Sequence, residues 1–433
     1  MSGAKTEISS SKETKVLSGI AIVDVQEMEQ GMSNKTKVVI CGGGNGAHAL
    51  AGVASADPGI DVSVLTLYAD EADRWNKEMQ QHGFKVTKSR HGQDTIELTS
   101  KPNLVTKDPL QAIPGSDIII LIMPAFAHGQ YLHAMKPFMK PGMVVVALPS
   151  QGGFVFEAMH ILGKEITDTC TFLSFESLPW ACRLKDFGSY CEILGTKASL
   201  AGAYHRSKEV PAVDPLPTIQ RIMGEQPVLK VKGHVLAMSL MAVNAYIHPS
   251  ILYDRWVNWD GKSLQEAPLF YQGATQSAAD LLSDMSNEAL AIAKEITRRF
   301  PEVDMSQATH IHDWYLRCYP DDITDKSTLK TTLQTNVAYR GLVHPMTKTE
   351  GGLVPTFQSR YTLEDIPYGL VVIKGLAELF GVPTPQSDKV LLWIQEKAGK
   401  EYLVDGKLQG RDVKNTGAPQ RFGITDVQEL MKL

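Results

Sequence analysis

Three side chains in the second half of the chain are suited to moving protons and binding a carboxylate. His248 stands in the stretch YIHP (246–249), near the end of an apolar helical segment, and Arg360 and Asp365 lie close together in the sequence. A histidine exchanges protons near neutral pH, and a neighbouring aspartate would orient its ring. An arginine would bind a planar carboxylate or link the histidine to the aspartate, and the sequence leaves both roles open. A buried structural histidine and an ordinary ion pair are the plainer explanations.

A glycine-rich loop near the N-terminus has the spacing of a dinucleotide-binding turn. The stretch CGGGNGAH (41–48) follows an apolar run and precedes a small-residue helical stretch. The first glycine permits the tight turn, the second lets the backbone approach a pyrophosphate, and the small third residue lets helix and strand pack closely. Glycine turns without a ligand are the alternative, but this order of elements favours a nucleotide. The predicted contacts are Gly42, Gly44, Asn45, Gly46 and Ala47.

The end of the second predicted strand, residues 62–67, favours NAD over NADP. Asp70 is the first acid after it, and its carboxylate could accept hydrogen bonds from a ribose or cap the next helix. No Arg or Lys lies between residues 65 and 73, so no cation stands there to bind a 2′-phosphate. Pro124 begins a loop after the strand predicted at 118–123, and we add it to the cofactor contacts.

Loops after two further predicted strands, at 144–148 and 171–175, carry the side chains of a candidate substrate pocket. Ligands of an open parallel sheet bind beyond the carboxyl ends of its strands, although Pro and Gly in these loops could also serve the turns alone. Neither a metal cluster nor CxxC spacing is present in the sequence, so we predict no metal. The candidate pocket residues are Gln151, Glu176, Ser177 and Cys182.

The order of predicted elements indicates an α/β fold with two domains. Short apolar runs typical of buried parallel strands continue to residues 192–194, and long segments with helical periodicity follow from about residue 235. One of these helices, at 387–398, has Ser387 as its predicted N-cap. We predict a flexible extension at 1–34, a Rossmann-type NAD-binding domain at 35–235 and a mostly α-helical catalytic domain at 236–433.

Composition excludes several other classes of function. The chain has 433 residues, a net charge of −5 and 21% charged residues, which gives no basis for a nucleic-acid or membrane partner. No apolar run reaches the roughly 20 residues that span a bilayer. Five scattered cysteines favour a reducing compartment, so we expect a cytoplasmic protein.

Long stretches of the chain resemble the opine dehydrogenases, and in particular the octopine dehydrogenase type of marine invertebrates. The resemblance runs from about residue 37 to the C-terminus. It implies NADH-dependent condensation of an α-keto acid, usually pyruvate, with the amino group of an amino acid, which regenerates NAD in anaerobic glycolysis. The matching stretches are CGGGNGAH (41–48), VLTLYADEADRW (64–75), PAFAH (124–128), LPSQGGF (148–154), SFESLPWACR (174–183), EAPLFYQG (266–273), GLVHP (341–345), RYTLEDIP (360–367) and KEYLVDG (400–406).

The resemblance also implies roles for individual residues. His248 resembles the catalytic histidine of the family, with Arg360 and Asp365 as its partners. Trp314, which by itself is a packing residue, resembles an aromatic wall near the keto acid. Glu176, Ser177 and Cys182 fall where the family holds the amino acid, and we expect the two domains to close on the substrates.

The amine donor and the competing functions stay open at this point. Glu176 could pair with a guanidinium, which favours arginine, but Ser177 replaces a threonine of the octopine type, and alanine, glycine, β-alanine and taurine remain candidates. Another two-domain dehydrogenase, of the glycerol-3-phosphate or ketopantoate reductase type, would need a lysine acid or a phosphate clamp. A nucleotide-binding protein without turnover is the third alternative. We expect a monomer or a weak oligomer.

Overall fold

Most strands lie in the first half of the chain and most helices in the second. The computed structural model describes residues 35–89, 94–211 and 213–431, so the predicted extension at 1–34 lies outside the described residues. The strands are β1 (Thr36–Cys41), β2 (Ile60–Leu65), β3 (Lys85–Lys88), β4 (Ile96–Leu98), β5 (Leu104–Thr106), β6 (Ile118–Leu121), β7 (Val144–Ala147), β8 (Thr171–Phe175), β9 (Trp180–Asp186), β10 (Tyr190–Thr196), β11 (Ser199–His205), β12 (Val228–Val231), β13 (Met346–Thr349), β14 (Gly352–Pro355), β15 (Leu403–Val404) and β16 (Lys407–Leu408).

The α-helices alternate with the strands at first and then follow one another. Single 3₁₀ turns and one π-helical turn, Ile366–Leu370, lie between them. The α-helices are α1 (Asn45–Ser55), α2 (Glu71–His82), α3 (Pro109–Ala112), α4 (His128–Met135), α5 (Phe154–Leu162), α6 (Lys164–Thr167), α7 (Pro215–Met223), α8 (Val235–Leu240), α9 (Asn244–Trp256), α10 (Gln276–Arg299), α11 (Ile311–Cys318), α12 (Leu329–Thr335), α13 (Arg360–Leu363), α14 (Val371–Phe380), α15 (Pro385–Ala398) and α16 (Val427–Leu430).

The main sheet has eight strands in the order β12-β11-β8-β7-β6-β1-β2-β5. Neighbours from β5 to β8 are parallel, whereas β11 runs antiparallel to β8 and β12 runs parallel to β11. The order from β5 to β8 is that of a Rossmann fold, which reverses direction between β1 and β6 and binds ligands there. Strands β6 and β7 are buried along their whole length because a hydrophobic core covers each face of the sheet at its centre. The predicted fold class is confirmed.

A second sheet corrects one predicted strand. Residues 192–194 were expected in the parallel sheet, but β10 belongs to a separate sheet of order β4-β3-β10-β9, where it runs antiparallel to β9. In β10 the side chains of Cys191 and Ile193 are buried, whereas Glu192 between them and Leu194 after them are more exposed. Alternation of this kind is typical of a sheet with one covered face, and here that face packs against helix α1.

The helical half begins directly after the last strand of the main sheet. Strand β12 ends at Val231 and helix α8 begins at Val235. The division into two domains at residue 235 remains a prediction. The predicted N-cap of the last long helix was wrong, since α15 begins at Pro385 after Thr384. The hydroxyl of Ser387 instead donates to the buried carboxylate of Glu288, at 2.6 Å.

One apolar segment is longer than the sequence analysis allowed. Val235–Trp256 has the length and hydropathy of a membrane span, so the expectation that no run reaches that length was wrong. In the structure 94% of its apolar window is buried inside the protein, and the segment is divided into α8 and α9. It forms the centre of the core of the helical half, which explains its composition.

Candidate active site

The glycine loop is open where a pyrophosphate would lie. Gly42 has a φ of 130°, and a side chain there would stand 2.7 Å from the carbonyl oxygen of Ile122, at the point where the sheet order reverses. No heavy atom of the described chain lies within 4 Å of where a Cβ of Gly44 would stand. Helix α1 follows with no side-chain cap on its first N–H groups, and Ala47 is buried against the sheet. These features fit an anionic dinucleotide.

Two predicted contacts of the loop also have structural roles. The side-chain oxygen of Asn45 accepts a hydrogen bond from the backbone N–H of Leu184, at 2.8 Å, and so fastens the second sheet onto helix α1. A side chain at Gly46 would lie 2.9 Å from the side chain of Ile122. Pro124 immediately precedes the 3₁₀ turn Ala125–Ala127 after β6, at the same edge of the sheet.

Two acids, Asp70 and Glu71, stand at the ribose end of the loop with different partners. Asp70 makes no side-chain cap and forms an exposed ion pair with Arg74, at 3.1 Å. The carboxylate of Glu71, which sequence reasoning missed, accepts a hydrogen bond from Thr66 at 2.5 Å and lies directly against Gly43. A carboxylate at this position suits ribose hydroxyls and repels a 2′-phosphate. The sequence did contain a clue to Glu71, because it is the second acidic residue after the predicted strand.

His248 stands at the centre of a buried chain of hydrogen bonds. Its Nδ1 lies 2.7 Å from Oδ2 of Asp365 and its Nε2 lies 2.8 Å from the hydroxyl of Tyr271. His248 and Asp365 are each 5% exposed. Because the carboxylate can only accept, Nδ1 carries the proton and the Nε2 lone pair faces the tyrosine hydroxyl.

Local irregularities bring the aspartate to the histidine. Pro249 lies inside helix α9 directly after His248, where it removes one backbone donor. Asp365 immediately precedes the π-helical turn Ile366–Leu370. A side chain at Gly369 would stand 2.6 Å from the Cβ of Ala245, so only glycine lets this turn pack so closely on α9.

Gln151, a predicted substrate residue, connects the sheet to this pair. Its side-chain amide donates to Oδ1 of Asp365 at 2.9 Å. Close by, the backbone N–H of Ala125 donates to the buried carboxylate of Glu364, at 3.2 Å. Loops of the nucleotide-binding half therefore hold the segment that orients His248.

Arg360 does not link His248 to Asp365, because those two side chains touch directly. Its guanidinium instead binds Glu364, with Nε at 2.6 Å, and the arginine side chain is 71% exposed. Burial raises the pKa of Glu364 above its usual value, and the arginine opposes that shift. The alternative in which Arg360 links His248 to Asp365 is thus excluded in this arrangement. The alternative in which Arg360 binds a substrate carboxylate remains.

The predicted amine-donor residues surround an internal ion pair. Both oxygens of Glu176 have partners, because Oε2 accepts from Arg317 at 2.8 Å and Oε1 from the backbone of Ala201 at 2.9 Å. The carboxylate that was predicted to pair with a substrate guanidinium is thus already paired with a guanidinium of the protein. Sequence reasoning missed Arg317, which lies 141 residues away along the chain.

The other predicted substrate residues lie near this pair. Ser177 is half-buried and its hydroxyl donates to the carbonyl of Leu178, at 3.5 Å, while Cys182 is buried. Trp314 is buried as well, and its indole N–H has no partner among the described residues. The ammonium of Lys197 stands 6.0 Å from the ring of Trp314.

A cluster of tyrosines forms one side of the site and was not predicted. The ring of Tyr361 stacks on His248 at 3.8 Å, and Tyr271 stacks on Tyr339 at 4.1 Å. Burial, helped by the neighbouring tyrosines, raises the pKa of Tyr271 well above its usual value, so its hydroxyl keeps the proton that it donates to His248. The stretch EAPLFYQG contains Tyr271, but nothing in its spacing indicates contact with His248.

Comparison with known proteins identifies the family. Residues 231–398 match the family model described as NAD/NADP octopine/nopaline dehydrogenase, alpha-helical domain. Tauropine dehydrogenase of Arabella iricolor is 51% identical over 395 residues, which cover 91% of this chain and 99% of that protein. Octopine dehydrogenase of Pecten maximus is 46% identical, with 91% and 98% covered.

Solved structures agree with the sequence relatives. Octopine dehydrogenase with NADH and L-arginine superposes with a TM-score of 0.86 at 45% identity, over 92% of this chain and 98% of that one. The complex with NADH and pyruvate gives 0.84 at 44% identity, with the same coverage. A ketopantoate reductase from Ralstonia eutropha, at 13% identity and a TM-score of 0.52, shares the fold alone. The chain belongs to the opine dehydrogenase family.

Proposed function

We propose that this protein reduces the imine formed between an α-keto acid such as pyruvate and the amino group of an amino acid, with NADH as the cofactor. The observation that carries the proposal is the buried Asp365–His248–Tyr271 chain, held against the nucleotide-binding half by Gln151. Relatives with the names tauropine and octopine dehydrogenase, and the octopine dehydrogenase complexes with NADH, pyruvate and L-arginine, support it.

The hydrogen bonds of His248 suit the proton transfers of imine formation. The amine must lose a proton before it attacks the keto carbon, and the departing oxygen must gain protons to leave as water. With Nδ1 bound to Asp365, the Nε2 of His248 can accept a proton, and Asp365 stabilises the imidazolium. The hydroxyl of Tyr271 lies on that nitrogen and can pass the proton onward. NADH, when bound in the glycine loop, supplies the hydride that reduces the imine carbon.

Arg360 is the proposed partner of the keto-acid carboxylate. Its guanidinium is mostly exposed, and Glu364 binds it through Nε and one terminal nitrogen. The second terminal nitrogen leaves donors for a substrate carboxylate, which is the pairing that a planar guanidinium forms best. Glu364 would hold the guanidinium beside His248, since Glu364 and Asp365 are adjacent.

A substrate screen tests the proposed reaction. NADH oxidation should require both pyruvate and an amino acid, because the imine is the species that is reduced. The His248→Ala variant should bind NADH normally and lose most turnover, whereas His82→Ala, which alters a histidine on the surface, should behave as the wild type. Oxidation of NADH with pyruvate alone, or near-normal turnover of His248→Ala, would contradict the proposal.

The proposed location is the cytoplasm. All five cysteines are free thiols and buried, which suits a reducing compartment. Cell fractionation followed by activity measurement would test the location, and light scattering of the purified protein would decide between a monomer and a weak oligomer.

A further inference from the structure

The carboxylate best placed to recognise a basic amino acid is already neutralised by the protein itself. The side chain of Glu176 is fully buried, and the guanidinium of Arg317 lies 2.8 Å from its Oε2. The other terminal nitrogen of Arg317 reaches the hydroxyl of Ser199, at 3.4 Å. Since removing one member of a buried pair leaves an uncompensated charge, a substrate guanidinium could not easily displace Arg317.

A second cation stands on the same side of the proposed amine site. Lys197 is 8% exposed, and the hydrogen bond that the described residues give its ammonium goes to the carbonyl of Leu178, at 2.6 Å. No carboxylate of the described chain forms an ion pair with it. Its ammonium lies over the rings of Trp314 and Tyr319, at 6.0 and 5.6 Å from their centres. An ammonium has three donors, so it retains capacity for an anionic group.

Ring contacts connect this region to the proposed catalytic histidine. Tyr319 lies 5.6 Å from Tyr339, which stacks on Tyr271, whose hydroxyl binds His248. One aromatic wall thus extends from Lys197 to His248. At the Lys197 end of that wall the charges are two cations, Arg317 and Lys197, and one carboxylate, Glu176, so this end carries a net positive charge. Asp365 lies at the opposite end, on His248.

We propose that Arg317 determines the amine donor of this enzyme. By neutralising Glu176 it restricts the site to short donors that carry an acid group and no distal cation, such as an aminosulfonate or a small amino carboxylate. Lys197 binds the acid group of such a donor. L-arginine and agmatine are disfavoured, because their guanidinium would be buried beside two cations without a free carboxylate. This inference rests on the proposed function.

Substrate preference in Arg317 variants tests the proposal. The wild type is assayed for NADH oxidation with pyruvate and each of taurine, β-alanine, glycine, L-alanine, L-arginine and agmatine. We expect kcat/KM to be higher for one of the first four than for L-arginine. In Arg317→Gln, which frees Glu176, the ratio of kcat/KM for L-arginine to that for the preferred donor should rise by about 10- to 150-fold, the effect of a hydrogen bond to a charged group.

Three matched variants separate specificity from general damage. Arg317→Lys keeps the positive charge and should retain the wild-type preference. The double variant Glu176→Gln/Arg317→Gln removes both charges and should lose the gain toward L-arginine. Arg298→Gln alters an exposed arginine paired with Glu295 on helix α10, and should change nothing.

Each outcome distinguishes the inference from the proposed function. If no amine supports NADH oxidation, the proposed function fails. If the wild type oxidises NADH with an amine but prefers L-arginine, the role of Arg317 is refuted and the function stands, and this holds even if Arg317→Gln does not fold. An unchanged preference in folded Arg317→Gln would also refute it, with folding checked by thermal melting and NADH fluorescence.

Discussion

Replacing Asp365 with asparagine should disable the enzyme while leaving its fold and NADH binding intact. Asp365 uses its two oxygens for two donors, since Oδ2 accepts from Nδ1 of His248 and Oδ1 accepts from the amide of Gln151. An asparagine has one oxygen and one NH₂ group, so it can satisfy only one of them. If its oxygen faces His248, its NH₂ group meets the NH₂ group of Gln151. If its oxygen faces Gln151, its NH₂ group forces the proton of His248 onto Nε2.

The expected loss follows from the hydrogen bond that is broken. A hydrogen bond to a charged group contributes about 1.5–3 kcal/mol, which corresponds to about 10- to 150-fold in rate if it acts in the transition state. The pair is buried and 2.7 Å long, which places it toward the strong end of that range. A change of tautomer would add to the loss, because Nε2 could then no longer accept a proton.

Steady-state kinetics test whether the hydrogen bond between Asp365 and His248 contributes to turnover. We expect kcat of Asp365→Asn to fall by about 10- to 150-fold or more with the fluorescence-derived Kd for NADH unchanged. Asp260→Asn, which alters an exposed aspartate paired with Lys262, serves as the control. A kcat of Asp365→Asn within about threefold of the wild type would show that the Asp365–His248 contact has no part in turnover, because that is less than the smallest effect of losing such a bond.

Three further perturbations have defined outcomes. Tyr271→Phe removes a neutral hydrogen bond to Nε2 of His248, so kcat should fall by about 3- to 10-fold with KM nearly unchanged, and an unaltered kcat would exclude a relay through the hydroxyl. Arg360→Gln should raise KM for pyruvate by about 10- to 100-fold and leave NADH binding unchanged, with Arg360→Lys retaining part of the affinity. Burial lowers the pKa of His48 and His344 to about 3 and that of His128 to about 4. Because the unfolded chain binds protons on them below about pH 6.5 and the folded chain does not, the free energy of unfolding should fall by about 1.4 kcal/mol per histidine between pH 7.5 and 5.5. Urea unfolding at the two pH values measures this, and equal free energies would contradict it.

Local sequence determined the nucleotide-binding turn and most of the elements. Gly42 adopts a positive φ that side chains disfavour, and its position after a run of buried strand residues was readable because both effects act within a few residues. For the same reason, the helices follow from the period of their apolar residues and the parallel strands from short continuous apolar runs. Where the period was too short to read, as in β10, the strand was assigned to the wrong sheet.

Tertiary structure alone decided which side chains share the site. His248 and Asp365 are 117 residues apart and Arg317 and Glu176 are 141 apart, and no local preference links the members of either pair. The family resemblance predicted that His248 and Asp365 act together. It also predicted Arg360 as a partner of His248 and Glu176 as a binding residue for the substrate. The folded chain directs both arginines to carboxylates of its own, because buried charges must be paired where packing places them. Residue types along the chain therefore indicate the chemistry, while the partners of each charge depend on the packing of the two halves.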